Sequence, residues 1–150
     1  MAHKRFNLLI IDDEQDFLEE MKNAFNYFPD NEFEIETAQS GDEGLEKLRE
    51  RRFDVVLIDL QMPNSKLSGL DVIAKLDEEN IYLGVAIATG HGGRKDAVAA
   101  VNLGAQAWFD KPCFDSEEKL IKLHQRLKEL AQVIPEESFD KFMAILNEKR

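Results

Sequence analysis

The chain has 150 residues, which is enough for one domain with a hydrophobic core. Its formal net charge of -11 argues against a nucleic-acid-binding surface, because phosphate binding needs clustered lysine and arginine side chains. The single cysteine, Cys113, excludes an internal disulfide and a cysteine-based metal site. No apolar run reaches the roughly 20 residues of a membrane helix. Asp12 interrupts the apolar run behind the basic amino terminus, so we expect no signal peptide, no membrane association and a cytoplasmic protein.

Short apolar runs alternate with helical patterns along the chain. Strands are predicted at 6–11, 33–37, 54–59, 85–89 and 107–109. Apolar residues at helical spacing predict a helix over 15–28, and a capping-box pattern that begins at Ser40 predicts a helix to about residue 51. Further helices are predicted over 69–80 and 94–103, from a cap at 115–118 to about 133, and from 135 to about 148.

Five strands that alternate with helices predict an α/β fold, in which a parallel sheet is covered on both faces. Right-handed crossovers favour a doubly wound, flavodoxin-like sheet with the strand order 2-1-3-4-5. We predict a core domain over residues 4–133 and a C-terminal helical extension over 134–150. Phe139, Phe142, Met143 and Leu146 form an apolar stripe on that extension, which we expect to dock on its own domain or on another chain, such as a second copy in a homodimer.

Polar residues stand where the predicted strands end. In open α/β sheets, sites form outside the carboxyl ends of the strands, so we expect these side chains to lie close together. Two carboxylates about 4 Å apart repel by roughly 4 kcal/mol at an effective dielectric of about 20, so either one is protonated or a divalent cation lies among them. Oxygen ligands without histidine or cysteine favour Mg2+. With an ammonium and a hydroxyl nearby, the pattern indicates phosphoryl transfer to a carboxylate nucleophile. The residues are Asp12, Asp13, Asp59, Thr89 and Lys111.

Four segments resemble one protein family when they are taken together, at 9–14 (LIIDDE), 54–63 (DVVLIDLQMP), 89–91 (TGH) and 104–112 (GAQAWFDKP). Over roughly residues 4–133 the chain resembles the receiver domain of two-component response regulators. The resemblance implies that Asp59 accepts a phosphoryl group from the phosphohistidine of a sensor histidine kinase or a phosphotransfer protein. It also implies a downstream protein target, or an output domain outside this chain.

The resemblance implies a metal site as well. Asp13, Asp59 and the backbone carbonyl of Gln61 would bind Mg2+, with Asp12 contributing through water. The loop at 64–69 is two residues longer than the pattern common in the family, which is a departure close to this site.

The resemblance further implies that Lys111 and Thr89 hold the phosphoryl oxygens and that the Lys111–Pro112 peptide bond is cis. Thr89 and Trp108 would form the switch pair, which changes the surface of helix 4, strand 5 and helix 5. The family usually has Tyr or Phe where Trp108 stands, and a buried indole N–H needs a hydrogen-bond partner. We therefore expect Trp108 to stay partly exposed on activation, and Trp108→Tyr to activate more readily.

Two other functions fit parts of this pattern. One is an interaction module with the same fold that acts without phosphorylation; the complete set of strand-end residues argues against it. The other is a Mg2+-dependent phosphohydrolase similar to the haloacid dehalogenase family, which carries a second Asp two residues after its nucleophile. Gln61 occupies that position here, so we expect no enzyme activity beyond Mg2+-dependent self-phosphorylation and autodephosphorylation. His91, two residues after Thr89, is a secondary candidate for contact with the phosphoryl group or attacking water.

Overall fold

The computed structural model describes residues 5–90, 93–132, 144, 146 and 147. Strands and helices alternate along this part of the chain as the apolar pattern predicts. The strands are β1 (Phe6–Ile11), β2 (Phe33–Ala38), β3 (Val55–Ile58), β4 (Gly84–Thr89) and β5 (Ala107–Asp110). The helices are α1 (Gln15–Phe25), α2 (Gly41–Glu50), α3 (Gly69–Glu78), α4 (Arg94–Asn102) and α5 (Glu117–Gln132).

The five strands form one parallel sheet in the order β2-β1-β3-β4-β5, which confirms the predicted doubly wound topology. Strand β3 pairs with β1 on one side and with β4 on the other, and all of its residues are buried. A strand that is covered on both faces and paired on both edges has no position for a polar side chain, which explains its unbroken apolar sequence.

The core has two layers, because successive strand residues point to opposite faces of the sheet. Helices α1 and α5 cover one face, and α2, α3 and α4 cover the other. The first layer includes Leu8, Ile10, Leu57, Ala88, Phe25, Leu123 and Leu127. The second includes Leu9, Ile11, Val56, Ile58, Ile87, Leu45, Ile73 and Ala100.

Helix α1 is three residues shorter than predicted. The Phe28 N–H donates to the carbonyl of Phe25 at 3.3 Å, so the chain tightens into turns after α1 ends. The Phe28 ring stacks on the imidazole of His124, with the ring centroids 3.9 Å apart. Phe28 therefore packs on the core although it lies beyond the end of α1. For this reason the spacing of apolar residues predicted a helix that was too long.

The predicted capping box at Ser40 forms only in part. The Ser40 hydroxyl accepts the Glu43 N–H at 3.1 Å, but the Glu43 carboxylate accepts the N–H of Gln39 instead of that of Ser40. A complete box is found at α3, where Ser68 and Asp71 exchange side-chain to backbone hydrogen bonds. Both helices thus begin at a serine that satisfies a free N–H of the first turn.

Three predictions concern residues outside the described part of the chain. His91 is one of these residues, so its position stays a prediction. Ala144, Leu146 and Asn147 are helical and exposed, in agreement with a C-terminal helix, whereas residues 133–143, 145 and 148–150 are outside the description. The domain boundary at 133 and the docking of the apolar stripe therefore also stay predictions. No helix in the described ranges combines the length and the apolar character needed to span a lipid bilayer.

Candidate functional site

Three carboxylates meet at the carboxyl edge of the sheet. Asp12 follows the last residue of β1, and Asp59 follows the last residue of β3. These two strands are held in register at this edge, since the Asp59 N–H donates to the carbonyl of Ile11 at 3.0 Å. Asp12, Asp13 and Asp59 each offer an oxygen, and these oxygens lie within 4.8 Å of one another. The structure thus brings together the three acidic residues that the sequence predicts.

The two buried carboxylates are held in place by backbone N–H groups. Asp12 accepts the N–H of Glu14 at 2.9 Å, and Asp59 accepts the N–H of Gln61 at 3.1 Å. Asp12 is 1% exposed and Asp59 is 6% exposed, whereas Asp13 is partly exposed. Asp59 therefore has one oxygen fixed by the backbone and only a narrow opening to solvent.

Lys111 joins this group from the segment after β5. Its Nζ lies 2.6 Å from Asp12 Oδ2 and 3.0 Å from Asp59 Oδ2, and 4.2 Å from the centroid of the Phe17 ring. Burial favours the neutral amine, but the hydrogen bond to Asp12 and the charges of both carboxylates outweigh it and raise the pKa of Lys111. The lysine is therefore a fixed ammonium between the two carboxylates. The Lys111–Pro112 peptide bond is cis, as expected.

The charge of this group is not balanced by Lys111. Burial is the main reason why the pKa of Asp12 rises to about 6, against the lowering effects of the Lys111 hydrogen bond and the Glu14 N–H. A group of three carboxylates with one ammonium favours either a proton or a second cation. Their oxygen-only donors, close together and partly open at Asp13, fit a small divalent cation such as Mg2+.

The two residues of the expected switch pair lie on adjacent strands. Thr89 is the last residue of β4 and is 1% exposed. Trp108 lies on β5, is partly exposed, and donates its indole N–H to Asp110 Oδ1 at 3.0 Å. The indole therefore has a hydrogen-bond partner, and that partner is a residue that the sequence prediction did not single out.

Several other residues of the site were missed by the sequence prediction. Phe17 was recognised only as part of an apolar helix face, and its position beneath Lys111 depends on tertiary packing. At Gly69, an added Cβ would lie 2.3 Å from the carbonyl oxygen of Asp59, so only glycine allows this approach. The longer loop contacts the acidic group through the Asn64 N–H, 3.5 Å from Asp13 Oδ2. The role of the Gln61 carbonyl stays a prediction.

Comparison with known proteins identifies the family of this domain. The family model of the response regulator receiver domain matches residues 8–128. The probable transcriptional regulatory protein TcrX of Mycobacterium tuberculosis is 33% identical over 121 residues, which are 81% of this chain and 49% of TcrX. The transcriptional regulatory protein GlrR of Escherichia coli is 32% identical over 112 residues, which are 75% of this chain and 24% of GlrR.

A solved structure with the same fold is that of a CheY-like response regulator receiver domain protein from Methanospirillum hungatei. The TM-score is 0.70 with 25% sequence identity, and the match covers 84% of this chain and 96% of that protein. The chain spans about half or less of the length of the two curated relatives, so the similarity concerns one domain of those proteins. Because the family model matches well over half of the chain and the fold agrees, this protein belongs to the response regulator receiver domain family.

Proposed function

We propose that this domain accepts a phosphoryl group on Asp59 from the phosphohistidine of a sensor histidine kinase or a phosphotransfer protein. The observation that carries the proposal is the position of Lys111, whose ammonium bridges Asp12 and Asp59 at the carboxyl edge of the sheet. Buried ammonium groups beside a carboxylate nucleophile stabilise the charge that develops during phosphoryl transfer.

The transfer is a substitution at phosphorus. An oxygen of Asp59 forms the new O–P bond while the P–N bond of the phosphohistidine breaks, and the imidazole leaves with the electron pair and takes up a proton. The Gln61 N–H orients the Asp59 carboxylate, and Lys111 and the Thr89 hydroxyl receive the phosphoryl oxygens. When bound, Mg2+ would be held by Asp13, Asp59 and the Gln61 carbonyl, with Asp12 through water, and would neutralise charge on the phosphoryl oxygens.

A second substitution at phosphorus limits the lifetime of the signal. Water attacks the phosphorus of phosphorylated Asp59, the bond from the Asp59 oxygen to phosphorus breaks, and inorganic phosphate leaves while the carboxylate is restored; this is the autodephosphorylation that the family resemblance implies. The site has no second aspartate two residues after Asp59 to act on a free substrate. We therefore infer a signalling switch that acts on its own phosphoryl group, not a phosphohydrolase.

The proposed output is the surface formed by α4, β5 and α5. Phosphorylation would bias a two-state equilibrium through Thr89 and Trp108, which lie on neighbouring strands at the edge of this surface. Val98 and Val101 on α4 are 53% and 63% exposed, and Ile121 on α5 is 43% exposed. These apolar side chains support contact with a downstream protein, or with an output domain outside this chain. We expect no direct contact of this acidic domain with nucleic acid.

The experiment is phosphorylation by a small acyl phosphate, followed by intact-protein mass spectrometry. With Mg2+ the protein should gain one phosphoryl group, and with a chelator it should gain none. Asp59→Asn should abolish the modification. Asp54→Asn is the matched control, because Asp54 lies at the opposite end of β3, where its carboxylate accepts the Asn7 N–H at 2.7 Å; this variant should still be modified.

The outcome also separates the proposed function from its rival. If the folded wild-type protein takes up no phosphoryl group in Mg2+, the proposal is wrong and an interaction module that acts without phosphorylation is favoured. Full modification of Asp59→Asn would place the nucleophile elsewhere.

A further inference from the structure

Trp108 and Asp110 lie two residues apart on β5 and point to the same face of the sheet, since side chains alternate along a strand. In the pairing of β4 with β5, Trp108 lies beside Ile87 and Asp110 lies beside Thr89. The hydrogen bond from the indole N–H to Asp110 Oδ1, at 3.0 Å, directs the ring along the edge strand. Through this hydrogen bond, Asp110 links the Trp108 side chain to the strand position beside Thr89.

The surroundings of the indole differ on its two sides. One side packs against the apolar layer beneath α3 and α4, to which Ile87 and Ala100 belong. The other side reaches Asp110, which is exposed. Movement of the ring further into the apolar layer breaks the bond to Asp110 and takes a polar N–H away from its acceptor, which is unfavourable unless a new acceptor is met.

We propose that Asp110 is a positioning residue, which holds Trp108 at the solvent edge of β5 and so opposes the change to the active arrangement. The inference rests on the proposed function, because it concerns the regulation of the same phosphoacceptor site. The proposed role depends on the tryptophan at position 108. A phenylalanine there has no N–H to donate to Asp110, and the hydroxyl of a tyrosine lies at a different distance from the backbone.

Asp110 also carries a negative charge beside Thr89, and that charge alone would weaken the binding of an anion. The two effects are separable by substitution. Asp110→Ala removes the acceptor and the charge together, whereas Asp110→Asn removes the charge but keeps an acceptor oxygen for the indole. Because Asp110 is exposed, neither change should affect folding, which circular dichroism verifies.

The first measurement uses the protein without ligand. Trp108 is the single tryptophan of the chain, so time-resolved fluorescence anisotropy reports on this ring alone. Asp110→Ala should increase the rapidly decaying part of the anisotropy, because the ring is released, and Asp110→Asn should restore most of the wild-type decay. Unchanged ring motion in Asp110→Ala would show that the hydrogen bond does not hold the ring. That conclusion does not depend on whether Asp59 is the phosphoacceptor.

The second measurement is the affinity for beryllofluoride, a phosphoryl mimic, in the presence of Mg2+, by titration calorimetry. Asp110→Ala should bind the mimic about two- to tenfold more tightly than wild type, the range that corresponds to the loss of one hydrogen bond. Asp110→Asn should show a smaller gain. In a Trp108→Phe background, Asp110→Ala should gain no more affinity than Asp110→Asn gains in the wild-type background, because the indole hydrogen bond is already absent and only the effect of the charge remains.

The outcomes are distinct. Equal gains in Asp110→Ala and Asp110→Asn that persist in the Trp108→Phe background would assign the effect to charge and overturn the proposed positioning role. Failure of the folded wild-type protein to bind beryllofluoride would overturn the proposed function and, with it, the regulatory role of Asp110. The anisotropy result would still report on the hydrogen bond itself.

Discussion

Removal of the Lys111 ammonium should destabilise the protein in a manner that depends on pH. Lys111→Met is the suitable change, because methionine keeps an unbranched apolar chain over the Phe17 ring but lacks the charge. The variant leaves Asp12 and Asp59 without their shared partner. Both carboxylates are almost fully buried, and the lysine side chain is itself 15% exposed, so solvent cannot replace the lost hydrogen bonds fully.

The magnitude follows from the burial of these groups. Removal of one partner from a buried ion pair costs about 3–5 kcal/mol. The pKa of Asp12 is about 6 in the folded protein and near 3.8 when unperturbed, so the folded state binds the proton more tightly. The stability that Asp12 contributes is therefore fully present below pH 3.8 and is lost as the pH rises through 6. Without the Lys111 hydrogen bond and charge, the pKa of Asp12 rises further. Each unit by which this pKa rises adds about 1.4 kcal/mol of destabilisation at pH 8 but little at pH 5, where Asp12 is already mostly protonated.

Urea unfolding without Mg2+, at pH 8 and at pH 5, measures this difference. We expect Lys111→Met to lower the free energy of unfolding by about 3–5 kcal/mol at pH 8, and by at least about 1 kcal/mol less at pH 5. The control is Lys122→Met, which removes an exposed ion pair with Glu118 and should cost at most about 1 kcal/mol at either pH. A loss in Lys111→Met that equals the control, or that is the same at both pH values, would show that the Lys111 ammonium does not stabilise these buried carboxylates.

Three further predictions follow from individual contacts. Gly69→Ala should destabilise the protein by about 1–3 kcal/mol in urea unfolding, because a Cβ would lie 2.3 Å from the carbonyl oxygen of Asp59; unchanged stability would contradict the close approach. The affinity for Mg2+ in calorimetry should fall roughly tenfold per pH unit below about 6, where the proton competes for Asp12, and should level off above it; an affinity that does not vary between pH 5 and 8 would exclude Asp12. Burial among three phenylalanine rings, and then the charge of Lys128, lower the pKa of His124 below 6.5. The stability that neutral His124 contributes is therefore complete above pH 6.5 and is lost as the pH falls below it, and His124→Phe should reduce this acid sensitivity; the same pH profile in variant and wild type would show that His124 is not responsible.

The convergence of the acidic residues could be predicted from the sequence for a simple reason. Strands that are apolar on both faces must be central and parallel, so the first polar residue after each one lies at a common edge of the sheet. Asp12 and Asp59 follow such strands directly, and no detail of packing is needed to bring them together. Lys111 required one more assumption, the strand order 2-1-3-4-5, and the structure has that order.

Other features of the site depend on rotamers and on loop paths, which periodicity does not determine. Trp108 and Asp110 are predicted to share a face, but the direction of the indole N–H depends on side-chain rotamers that spacing does not specify. The approach of Gly69 to Asp59 depends on the course of the loop that precedes α3. The raised pKa of Asp12 depends on how deeply the edge of the sheet is covered, and the spacing of apolar residues does not report that depth.

The position of the phosphoryl group on the chain decides whether Asp59 is the nucleophile. A phosphorylated aspartate is an acyl phosphate, which hydride reduction converts to homoserine, and peptide mass spectrometry then identifies the position. After treatment with an acyl phosphate and Mg2+, we expect homoserine at position 59 and unmodified aspartate at positions 12 and 13. Homoserine at position 12 or 13, with position 59 unmodified, would contradict this expectation.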